Sequence, residues 1–116
     1  MNEYQYLDIT NEIDDLPKAL KIKDKSFPID EDRKKFQKVL AMLKLAKVKK
    51  QKGEDTDEEK MVDEIILMLL GQEGFDELQN MNLSYKNYYK AFLGIMALAS
   101  GKTMEEMKAI AGGRFQ

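Results

Sequence analysis

Six consecutive apolar residues, Ile65 to Leu70, constrain this chain more than any other feature. A helical turn that is apolar on every side has no face to give to water, so neighbours must enclose it. The run is far short of the roughly 18 apolar residues that span a bilayer. The enclosing elements must therefore come from the rest of the 116-residue chain.

The flanking sequence supplies them as helices. Phe36, Val39, Leu40, Leu43 and Ala46 recur at helical spacing, and Met42 and Leu45 widen the stripe. Asp30 is the expected N-cap, with Asp30, Glu31 and Asp32 placing negative charge at the first turn. Lys47, Lys49, Lys50 and Lys52 sit where the dipole favours cations, and Gly53 closes a helix expected over 31–52. Thr56 and Glu59 match a capping box for a second helix over 57–70, stopped by Gly71. A short helix over 72–80 turns Phe75 and Leu78 inward. Ser84 caps a helix over 85–100 with Tyr85, Tyr88, Tyr89, Phe92, Leu93 and Met96 on its apolar face. Gly101 ends it, and Thr103 with Glu106 forms a capping box for a last helix over 104–111.

Ahead of the helices, Leu20-Lys21-Ile22-Lys23 alternates apolar and polar residues, and Ser26-Phe27-Pro28-Ile29 follows a turn at Asp24-Lys25. That spacing predicts a short β-hairpin. The expected fold is mainly α, a compact bundle of four to five helices with an N-terminal hairpin. Residues 1–18 read as an irregular arm, 19–111 as a single helical domain and 112–116 as a loose tail.

The chain has no His and no Cys. It therefore lacks the usual proton shuttle and activated thiolate, and chemistry is a poor first expectation. The net charge of −2 gives no whole-molecule attraction to nucleic acid or anionic lipid. The N-terminal residues lack the pattern of a signal peptide, so the expected setting is cytoplasmic.

Three motifs invite chemistry and yield simpler accounts. Gly101-Lys102-Thr103 resembles the end of a phosphate-binding loop, but Met96 stands where that loop needs a further Gly. Glu54, Asp55, Asp57, Glu58 and Glu59 suggest calcium, yet no Gly follows Asp57 in the register of a calcium loop. Carboxylate pairs are plentiful, which keeps a magnesium-dependent enzyme as the weakest alternative. No cofactor or metal is expected.

Two features point to binding. From Arg33 to Lys52 the charges are Arg33, Lys34, Lys35, Lys38, Lys44, Lys47, Lys49, Lys50 and Lys52, with no acid among them. Such a helix suits a phosphate backbone, so a nucleic-acid-binding accessory protein using helix 33–52 is the alternative reading. Eight methionines supply adaptable apolar surface. Met104, Met107 and Ile110 are candidate partner-binding residues on the last helix, with Tyr89 beside them. The same residues would equally serve if that helix folds back on the core.

The order of features resembles the tail assembly chaperones of long-tailed bacteriophages, especially those of Gram-positive hosts. The likeness covers about residues 19–108. It rests on the hairpin segment Leu20 to Ile29, the lysine-bearing helix, the run Ile66-Leu67-Met68-Leu69-Leu70-Gly71-Gln72-Glu73-Gly74-Phe75-Asp76-Glu77-Leu78, and Tyr88-Tyr89-Lys90-Ala91-Phe92-Leu93-Gly94-Ile95-Met96-Ala97-Leu98. The resemblance implies a non-enzymatic helical protein, outside the finished virion, that binds the phage tape measure protein. It implies that this long apolar helical chain is kept soluble while tail tube subunits assemble around it. The tail tube protein is a further candidate partner, and self-association remains open. No small-molecule substrate and no membrane is expected, and the resemblance supplies no catalytic residues.

Overall fold

A computed structural model describes residues 3–13, 16–55 and 57–110, the side chain of Ile110 excepted. A two-stranded antiparallel hairpin, β1 (Ala19–Ile22) and β2 (Lys25–Pro28), precedes four helices. These are α1 (Arg33–Gln51), α2 (Glu58–Asn80), α3 (Tyr85–Ser100) and α4 (Met104–Ile110). The architecture is the expected one, mainly helical with an N-terminal hairpin.

In the hairpin Leu20 pairs with Phe27, and Ile22 with Lys25. The period of two puts Leu20, Ile22 and Phe27 on the inner face, and Phe27 is fully buried. The turn falls on Lys23-Asp24, one residue earlier than expected, with Lys23 in the left-handed region at φ 57. β1 lies on α3 and β2 on α2. Gly94 makes the first contact intimate, since a Cβ there would stand 2.9 Å from Leu20 Cδ1.

α2 is the axis of the core. Val62, Ile65, Ile66 and Leu69 are buried, each contributing about 1.5–3 kcal/mol relative to exposure. The apolar run is not enclosed on every side, however. Leu67 is 37% exposed, and Met68 and Leu70 are half-buried. Three packed neighbours (α1, α3 and β2) cover most of the circumference of this turn but not all of it.

Gly71 divides α2 into two helical halves as expected, and a kink joins them. Its φ of 80 and ψ of 172 lie outside helical space, and helical residues resume directly after it. The break interrupts the hydrogen-bond ladder. The Leu69 carbonyl instead accepts from the backbone N–H of Asp30 at 2.8 Å, which ties the hairpin exit to the core.

That tie changes the expected cap of α1. Asp30 spends its carboxylate on the Asp32 N–H, at 2.9 Å, and on an ion pair with Lys35. Asp32 is the N-cap, accepting from Lys34 N–H at 2.8 Å, so the three acids precede the helix instead of occupying its first turn. At α2, Asp57 is the N-cap and accepts from Lys60 N–H at 2.9 Å. The expected cap Thr56 lies outside the described residues. Ser84 caps α3 as expected, and Thr103 and Glu106 exchange hydrogen bonds of 3.1 Å as a capping box on α4.

Candidate partner-binding surface

The four residues singled out from sequence do not form one exposed patch. α4 folds back on α3 and carries Met107 into the core, only 4% exposed. Tyr89 is likewise buried, its ring edge-on to Tyr85 and Phe92 at 5.5 and 5.7 Å between centroids. The expectation that Met107 and Tyr89 present a surface is therefore corrected. Met104 stays accessible at 36%, and the side chain of Ile110 lies outside the described residues. Tyr85, expected to pack inward, is 60% exposed.

A concave stretch of accessible apolar ground lies elsewhere, between α1 and the first half of α2. Met42, Leu45 and Ala46 of α1 face Met61 of α2 across an open groove of about 260 Å³. Its rim carries Asp55, Asp57, Glu58 and Glu64 against a single base, Lys49. Local chemistry sets this arrangement. After Lys52 the chain turns sharply, with Gly53 N–H donating to Lys50 O and Glu54 N–H to Lys49 O at 2.9 Å. The acidic connector is thereby folded against the end of α1, and Lys50 pairs with Glu58 at 3.6 Å.

The groove is small beside the roughly 300–1,000 Å³ pockets that enclose ligands. It suits one or two apolar side chains projecting from another chain. Its floor is half thioether, and Met42 and Met61 are both half-buried, so their side chains can settle around different shapes. Leu45, at 55% exposed, forms an open edge. Sequence reasoning passed over this site because Met42 and Leu45 read as the margin of a core stripe. The signal was present in the width of that stripe, which exceeds what one neighbouring helix covers.

The outer face of α1, turned away from α2, is different in character. Leu40 and Val48 are 47% and 37% exposed there among Arg33, Lys44 and Lys47. Among the described residues no group of three or more Asp or Glu is placed to hold a metal ion. No helix among them is long and apolar enough to cross a membrane. Comparison of the chain with protein-family models, curated proteins and solved structures finds no match.

Proposed function

We propose that this protein is a phage tail assembly chaperone that covers apolar helical segments of the tape measure protein in the host cytoplasm, without catalysing a reaction. The observation that carries the reading is the α1–α2 groove, whose half-buried methionine floor opens to solvent beside the exposed Leu45. Amphipathic helices recognise such grooves by laying anchor side chains at helical spacing into them. The acidic rim adds a selection, favouring segments whose apolar stripe is flanked by Lys or Arg. The resemblance of residues 19–108 to tail assembly chaperones points the same way.

The nucleic-acid reading of helix 33–52 ranks second. The lysines of α1 suit a phosphate backbone, but at its end Asp55, Asp57, Glu58 and Glu64 share the groove with Lys49, and Lys50 pairs with Glu58.

Co-expression with a tagged tape measure protein tests the proposal. Leu45→Asp places a charge at the open edge of the groove, where exposure keeps the effect on folding within about 0.5 kcal/mol. Wild-type chain is expected to co-purify, and Leu45→Asp to lose at least about tenfold in recovery, equivalent to about 1.4 kcal/mol of binding. Met104→Asp is expected to retain the interaction. Undiminished recovery of Leu45→Asp would remove the groove from the account.

A further inference from the structure

The N-terminal arm and the outer face of α1 are complementary surfaces that the single chain leaves unused. Every described residue from Glu3 to Ile13 is exposed, and the only regular element there is one 3-10 turn, Thr10–Glu12. Tyr4, Tyr6, Leu7, Ile9 and Ile13 are each between 51% and 88% exposed. Tyr4 and Tyr6 stand edge to face at 6.1 Å, a paired aromatic anchor of the kind that interfaces favour. Beside these apolar residues stand Glu3, Asp8 and Glu12, with no Lys or Arg before Lys18. α1 has the opposite pattern, with eight Lys and Arg and no acid, and Leu40 and Val48 are exposed along the helix beside Lys44 and Lys47.

We infer that the arm of one chain docks on the outer face of α1 of a second copy, and reciprocally, to form a two-fold dimer. The charges select this face over the α1–α2 groove, because the acidic rim of the groove repels an acidic arm. The lengths agree as well. Residues 3–9 in extended form together with the 3-10 turn Thr10–Glu12 reach about 29 Å, and the 19 residues of α1 run for about 28 Å. Tyr rings would lie on the aliphatic stems and ammonium groups of the lysines while the carboxylates pair beside them.

A second copy is the favoured occupant because each chain holds its own arm in the open. The arm leaves the fold at Lys18, whose carbonyl accepts from Ile29 N–H at 2.9 Å and whose ammonium pairs with Glu31 at 3.2 Å. Exchange of like segments about a two-fold axis makes a closed contact that does not propagate.

Light scattering on the full chain tests the inference. The wild type is expected at twice 13.4 kDa in low salt and to fall to the monomer mass as salt rises. An arm-reversed chain (Glu3→Lys, Asp8→Lys, Glu12→Lys) and a face-reversed chain (Arg33→Glu, Lys44→Glu, Lys47→Glu) are each expected as monomers. Mixed in equal amounts, they should return to a dimer with one chain of each kind, since both contacts are then complementary. Docking of the arm on its own helix cannot produce that rescue. A wild type that is monomeric in low salt, a dimer indifferent to salt, a reversed variant that stays dimeric, or a mixture that stays monomeric would each overturn it. None of these outcomes depends on the tape measure protein.

Discussion

At the scale of single residues, Gly71 and Asp30 decide how the hairpin meets the helices. The backbone at Gly71, φ 80 and ψ 172, is one that essentially only glycine adopts. A Cβ there meets nothing within 4 Å, so conformation and not crowding makes the position selective. Gly71→Ala is expected to destabilise the fold by about 1–3 kcal/mol in equilibrium urea unfolding. If α2 straightened instead, the Leu69 carbonyl would rejoin the ladder and abandon Asp30. A change below about 0.5 kcal/mol would show that the kink is not required. Asp30 matters for a related reason. Lys35 and then the Asp32 N–H hold its carboxyl below the ordinary range, so it stays charged while its backbone anchors the core.

At the scale of elements, Tyr88 of α3 joins the two halves of α2 across the kink. Its hydroxyl donates to Asp63 at 2.6 Å, before Gly71, and accepts from Gln79 Nε2 at 2.7 Å, after it. Burial first, and then the hydrogen bond to Asp63, push the phenol well above its ordinary 10.0. Below pH 10.0 the phenol is neutral in both folded and unfolded chains, and its contribution to stability is fully present. Above it the unfolded chain ionises first, so stability falls as pH rises. Tyr88→Phe is expected to cost about 1 kcal/mol at neutral pH. Its deficit against wild type should shrink past pH 10.0 in urea titrations, and a deficit that is constant with pH would contradict this role.

The same elements show what the sequence could and could not tell. Ser84 and the Thr103–Glu106 box were legible because capping is local chemistry, settled within four residues. The cap of α1 was not, since three neighbouring acids compete and the long-range bond from Asp30 to Leu69 settles the choice. The hairpin was legible from its period, while its turn shifted to place Lys23 in the left-handed region. Helical spacing identified apolar faces correctly but not what covers them. Leu67, Tyr85 and Leu45 are therefore more open than periodicity suggests, while Met107 and Tyr89, named as candidate contacts, are closed.

At the scale of the whole molecule, charge is sorted around one helix pair. α1 presents base to the outside, while the connector and the start of α2 present acid along the groove. The two sides thereby prefer different partners, an acidic segment on one and a basic-flanked apolar helix on the other. The measurement that bears most directly on a shielding role is the fraction of tape measure protein left in the supernatant after centrifugation. It should be compared for expression alone, with wild-type chain, and with Leu45→Asp. The account predicts that the protein is largely pelleted alone, soluble with wild type and pelleted again with Leu45→Asp. Equal solubility in all three, or equal rescue by both chains, would contradict it.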